Sequence, residues 1–243
     1  MNHDDRISHY RLLVFDWDGT LIDSIDGIVS SLQIASRTVC NEDISEQRAR
    51  SVIGLGLREA IEALHPELES VYVDRVAEAY KQHYLYRNPI KSKLFAGVRE
   101  MLEQLRDAGF QLAIATGKSR LGLDHVLAEH DMSTFFNATR CADESPSKPH
   151  PEMLLHLLDQ LDMQAQQTLM IGDSGHDLLM ASNAGVDSIG VTHGVSTAAE
   201  LIQYKPILCL DHITDLMTFL SHNNPDNIQP LLNRTCNKET KTS

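Results

Sequence analysis

The chain has 243 residues, 42% hydrophobic and 23% charged, enough to bury a sizeable core in one domain or in a domain with an inserted partner. Its 34 acidic residues against 21 basic ones give a net charge of −13, which repels nucleic acid and anionic membranes and leaves neither as a natural partner. An anionic substrate would need concentrated local positive charge, for which a bound cation is one source.

The polar segment 1–11 holds no apolar stretch of the signal-peptide kind, and no run approaches the roughly 20 apolar residues of a membrane span. Four dispersed cysteines (Cys40, Cys141, Cys209, Cys236) form no CxxC pair, which fits a reducing cytoplasm and argues against a disulfide framework or a zinc site. Leu12-Leu13-Val14-Phe15 is a continuous apolar run that predicts a buried parallel strand ending at Asp16. From Ile22 to about Asn88 the patterns are all helical. Ile25, Ile28, Val29, Leu32 and Val39 form one stripe, and Val73, Val76, Ala77, Tyr80 and Tyr84 form another. Asp23-Ser24 reads most simply as the cap of the first of these helices.

After a return linker near Asn88-Pro89, helix and strand signals alternate. Val98, Met101, Leu102 and Leu105 predict a helix stopped by Gly109; strands are expected at 112–115, 168–171, 188–191 and 207–210. Met153, Leu154, Leu157, Leu158 and Leu161 predict a helix after Pro151, and 177–184 another, closed by Gly185. Such alternation implies an α/β doubly wound parallel sheet with an inserted α-helical domain after strand one. The expected division is a core of residues 1–22 and 90–222, a helical insertion of 23–89, and a polar, loose tail of 223–243.

The chemistry collects where the strands end, the edge at which open α/β sheets bind ligands. Asp16-Trp17-Asp18-Gly19-Thr20 sets two carboxylates two residues apart after the first strand. Acids so close repel, and a hard cation such as Mg2+ answers the repulsion. A second strand runs into Thr116-Gly117, and a third into Gly172-Asp173 with Asp177 four residues on; Lys148 stands between prolines at a helix start. Each has a plainer reading. Asp-x-Asp-Gly occurs in turns, Thr116 suits a helix N-cap, and Lys148 a solvated lysine. Asp177 also suits a helix dipole partner.

Taken in order, Asp16-Trp17-Asp18-Gly19-Thr20, Thr116, Lys148, and Gly172-Asp173 with Asp177 make the chain resemble the haloacid dehalogenase superfamily, in the subgroup with a helical cap after the first motif. The resemblance spans roughly residues 11–220 and implies a Rossmann-like core, a Mg2+ cofactor and catalysis by Asp16, Asp18, Thr116 and Lys148. By that likeness Asp16 is the nucleophile and Asp18 the acid and base. The main chain of Trp17 and Asp18, with Thr116, Gly117 and Lys148, meets the phosphate. Mg2+ is held by the Asp16 side chain, the Asp18 carbonyl and Asp173, supported by Asp177. Phosphoglycolate phosphatases carry a lysine similar to Lys118, which together with Arg58, in the loop Ile53-Gly54-Leu55-Gly56-Leu57-Arg58-Glu59, becomes a candidate for substrate contact; a surface role suits either residue.

Asp18 narrows the reaction. Dehalogenases lack an acid there, because a halide leaves without a proton. Phosphonatases resemble Asp-Trp-Ala-Gly-Thr, so Asp18 argues for an oxygen leaving group. The expectation is hydrolysis of a small phosphorylated metabolite, phosphoglycolate-like, in the cytoplasm. A sugar-phosphate mutase and a non-catalytic phosphate-ligand binding protein are the alternatives.

Overall fold

In the computed structural model, residues 10–223 are described. Six strands make one sheet: β1 (Leu12–Phe15), β4 (Gln111–Thr116), β5 (Ala138–Cys141), β6 (Thr168–Gly172), β7 (Asp187–Val191) and β8 (Cys209–Leu210). Their spatial order is β5-β4-β1-β6-β7-β8, and every pairing is parallel. The expected doubly wound sheet is the one observed.

Alternation along the strands builds its two faces. Leu13, Phe15, Leu112, Ile114 and Ile171 point to one side, where they meet α5 (Val98–Asp107), α6 (Arg120–Glu129) and α10 (Leu216–Asn223). Leu12, Val14, Ala113 and Met170 point to the other, against α7 (Glu152–Gln160) and α8 (Gly175–Asn183). All three central strands are therefore apolar on both faces, which is why they were readable as continuous runs. Strand β5 was not anticipated. Its Thr139 and Arg140 are half-exposed between buried Ala138 and Cys141, a composition that an edge position tolerates.

Between β1 and β4 the chain leaves the sheet. A two-residue ribbon pairs β2 (Ile22–Asp23) antiparallel with β3 (Lys93–Leu94), so the stretch after Ile22 is not wholly helical as expected. Beyond the ribbon lie α1 (Ile25–Cys40), α2 (Glu46–Ser51), α3 (Leu57–Leu64) and α4 (Ser70–Tyr86). These helices bury their own clusters, Ile25, Val29, Leu32, Val52 and Leu64 in one and Ala35, Ile61, Val73 and Val76 in another. At the return, buried Asn88 donates to the Gly27 carbonyl (2.8 Å) and to Ser31 Oγ (3.1 Å), tying the linker to α1. A short α9 (Ala198–Leu201) precedes the last strand. The loose tail expected for 223–243 falls almost entirely outside the described residues.

Candidate active site

The sheet register brings the motifs level. Phe15 pairs with Ile114 on one side and Ile171 on the other, so β1, β4 and β6 deliver Asp16, Thr116 and Asp173 to one edge. Asp16, Thr116, Lys148, Asp173 and Asp177 are all buried there, and Asp18 nearly so.

Lys148 is the hub. Its Nζ lies 2.8 Å from Asp16 Oδ1 and 2.7 Å from Asp177 Oδ1. The contact with Asp177 is a hydrogen bond. The contact with Asp16 is close but poorly aligned, leaving Asp16 Oδ1 buried without a directed donor. Asp177 spends its other oxygen on Ser174, whose amide (3.1 Å) and hydroxyl (2.6 Å) both donate to Oδ2 at the start of α8. That hydroxyl also accepts from the Asp177 amide, making a reciprocal capping box. Asp177 therefore serves as helix cap and as an anchor for Lys148 at once. Asp173 is held between Thr20 Oγ1, which donates to Oδ1 (2.9 Å), and the Val195 amide, which donates to Oδ2 (2.8 Å).

Charge and burial conflict in this cluster. Burial pushes Asp16 up to about 7; Lys148 opposes that shift and Asp177 reinforces it. Asp173 is raised well above the usual carboxylate range by burial and then by the charges of Asp16 and Asp177. Lys148 loses hydration, yet Asp16 and Asp177 outweigh that loss and hold it charged. One oxygen from each of Asp16, Asp173 and Asp177 lies within 4.8 Å of the others. Three buried acids gather around one lysine, which touches only two of them, and one oxygen lacks an aligned donor. That all-oxygen, anionic donor set fits a hard divalent cation.

Asp18 stands apart from this cluster. Its Oδ2 is 3.0 Å from Lys118 Nζ, and its Oδ1 accepts from Ser24 Oγ at 2.6 Å. Ser24 occupies the N-cap position of α1 but makes no side-chain cap, because its hydroxyl is committed to Asp18. Lys118 is no surface residue: only 9% of its side chain is exposed, and Nζ sits 4.7 Å from the Tyr84 ring centroid and 3.3 Å from its hydroxyl. Nor does Thr116 cap a helix. Ser119 does, and Thr116 Oγ1 accepts from the Lys118 amide (3.2 Å). The Trp17 ring is buried in the core edge-on to Phe136, at 6.3 Å between centroids, so only its main chain belongs to the site.

The loop between α2 and α3 closes over this edge. The Gly56 amide donates to Ser147 Oγ (2.7 Å), next to Lys148. Behind the loop a cavity of about 540 Å³ reaches from Asp16 and Asp18 to helices α1 and α4. Arg58 stands on its wall, but its guanidinium is paired with Glu62 (3.0 Å) and Asp74 (2.6 Å). Ser24, Thr20, Ser147, Ser174, Tyr80 and Tyr84 were not anticipated as site residues. Their signal was weak, since a serine beside a motif reads first as a cap or turn residue.

Residues 13–191 match the sequence model of the haloacid dehalogenase-like hydrolases. The chain is 32% identical over 215 residues to the phosphoglycolate phosphatase of Vibrio cholerae, covering 85% of this chain and 95% of that one. It is 35% identical over 212 residues to a Dickeya dadantii protein named "Probable phosphatase IndB", covering 85% and 91%. Among solved structures, a predicted phosphoglycolate phosphatase from Haemophilus somnus superposes with a TM-score of 0.78 at 25% identity, covering 87% and 98%.

Proposed function

The chain belongs to the haloacid dehalogenase-like hydrolases, and from that premise we propose that it is a magnesium-dependent phosphatase acting on small organic phosphate monoesters through an aspartyl-phosphate at Asp16. One observation carries the reading. Buried Asp16 and Lys148 touch at the carboxyl edge of β1, with Asp173 and Asp177 behind them and Asp18 two residues away.

Asp16, Asp173 and the Asp18 carbonyl would hold a magnesium ion, which when bound would supply positive charge to the nucleophile and the phosphoryl oxygens. Asp177, with both oxygens engaged by Lys148 and Ser174, supports the site by orienting the lysine. In the first half-reaction an Asp16 oxygen forms a bond to phosphorus and the ester oxygen departs, taking a proton from Asp18. Thr116, the Gly117 amide and Lys148 hold the phosphoryl oxygens. In the second half-reaction Asp18 takes a proton from water, which attacks the same phosphorus and releases phosphate and the Asp16 carboxylate. The donors on both Asp18 oxygens suit this second step. For Asp18 to act as the acid, Lys118 or Ser24 must release one oxygen.

The helical segment 23–89 acts as a cap that keeps bulk water out during the first step. The cytoplasm is the proposed location. Among the described residues Cys40, Cys141 and Cys209 form no disulfide, and no helix is long and apolar enough to cross a membrane. The experiment is turnover of p-nitrophenyl phosphate with and without Mg2+, beside Asp16→Asn. Magnesium-dependent turnover that Asp16→Asn abolishes is expected. Near-normal activity in Asp16→Asn would remove the covalent mechanism, and no turnover of any monoester would remove the phosphatase reading.

A further inference from the structure

The cavity in front of Asp16 is built for more than a two-carbon acid. At about 540 Å³ it lies within the range of roughly 300–1,000 Å³ that buries ligands of drug-like size. Ile28, Leu32, Val52, Leu57, Tyr80 and Tyr84 give it an apolar wall. Tyr80 and Tyr84 stack with ring centroids 5.5 Å apart and planes 11° from parallel, presenting aromatic surface to the same space.

Two of the three cations around that space are already committed. Arg58 is paired with Glu62 and Asp74, and Lys118 with Asp18. Lys81, the third cation on the wall, is exposed, while Glu59, Asp74 and Asp143 add negative charge to the same lining. A second anion placed against Lys118 would have to break a buried ion pair and leave Asp18 unpaired, and one placed against Arg58 would have to displace Glu62 or Asp74 from an exposed pair. An apolar body would displace water from the wall and disturb none of these pairs.

Resting on the phosphatase reading above, we propose that the preferred substrate is a monoester of an alcohol carrying a planar apolar body, with no second anionic group. The phosphate enters first, toward Asp16 and Lys148, and the body lies against Tyr80 and the aliphatic wall.

The test compares kcat/KM of the magnesium-loaded full chain for benzyl phosphate and naphthylmethyl phosphate with that for phosphoglycolate and glycerol phosphate. All four release an alkyl alcohol, so leaving-group acidity does not favour the aromatic esters as it does p-nitrophenyl phosphate. An advantage of about tenfold or more for the aromatic esters is expected, the scale on which apolar pockets discriminate. Tyr80→Ala should narrow that ratio by about tenfold, and the wild-type ratio decides even if the variant folds poorly. Equal or reversed preference in an active enzyme would overturn this inference alone. Absence of turnover with every ester, p-nitrophenyl phosphate included, would overturn it together with the phosphatase reading.

Discussion

Gly117 lies where the cap loop comes down on the sheet edge, and a single methyl group there tests whether that contact belongs to the reactive arrangement. A β-carbon at Gly117 would stand 2.4 Å from the Leu55 carbonyl oxygen and 2.7 Å from that of Gly54. Both obstacles are backbone, so no rotamer change relieves them. Ordinary contact begins near 3.4 Å, so in Gly117→Ala the loop retreats by about 1 Å, a misplacement that costs on the order of a hundredfold in rate at a preorganised site. The Gly56–Ser147 hydrogen bond, on the same loop, is lost with it. Alanine keeps the amide that the proposed mechanism offers to the phosphoryl group, and Gly117 does not have the positive φ that would strain it. The expected result is therefore a fall of about a hundredfold in kcat/KM, with thermal stability lowered by no more than about 1 kcal/mol. Steady-state kinetics with p-nitrophenyl phosphate and a thermal melt of the same preparation measure both. Activity within about threefold of wild type would refute the claim that contact of this loop with Gly117 shapes the reacting site.

Three further outcomes follow from the same geometry. Lys148→Met leaves Asp16 and Asp177 buried without their cation, which should destabilise the fold by about 3–5 kcal/mol and abolish turnover; a melt unchanged from wild type would contradict it. Because burial raises Asp16 to about 7 and Asp173 well above its usual range, the metal-free fold retains their contribution below the unfolded value of 3.8 and loses it as pH rises through about 7. Added Mg2+ should therefore raise the melting temperature more at about pH 8 than at about pH 5.5, and a larger shift at the lower pH would count against the acidic cluster as the metal site. Ser36 Oγ, His65 and Glu42 form a serine–histidine–carboxylate chain with 2.9 Å links, but Ser36 is wholly buried within the cap helices. Ser36→Ala should leave turnover of phosphate and carboxylic esters unchanged, and loss of an esterase activity would show a second centre.

The central strands were legible because burial on both faces forces β1, β4 and β6 to be apolar throughout, and parallel pairing requires helices between them. Strand β5 was not, since its half-exposed Thr139 and Arg140 break the run, and the β2–β3 ribbon is too short to carry a period. Within the site, the motif residues could be named from their spacing, but their partnerships could not. Nothing in Asp23-Ser24 distinguishes a serine that caps its own helix from one that turns back to Asp18. Lys118 looked equally suited to solvent. Its burial comes from Tyr84, thirty-four positions earlier in the chain, and only the folded cap brings the two together.

That last contact links the two halves of the molecule chemically. Lys118 belongs to the loop after β4, Asp18 to the loop after β1, and Tyr84 to the cap, and the lysine touches both of the others. Movement of α4 away from the sheet would strip Lys118 of its aromatic neighbour while leaving its attraction to Asp18. If Asp18 protonates an alcohol, Lys118 or Ser24 must release one of its oxygens, and of these two Lys118 is the one that touches Tyr84 of α4. Lys118→Met separates the two roles. Free of the lysine, Asp18 should still serve a good leaving group such as p-nitrophenolate, which needs little protonation. If the lysine acts only as a substrate-binding cation, anionic esters alone should suffer. If it couples closure to Asp18, alkyl esters of every charge should lose about tenfold or more relative to p-nitrophenyl phosphate. Equal losses across all esters, the aryl one included, would refute the coupling.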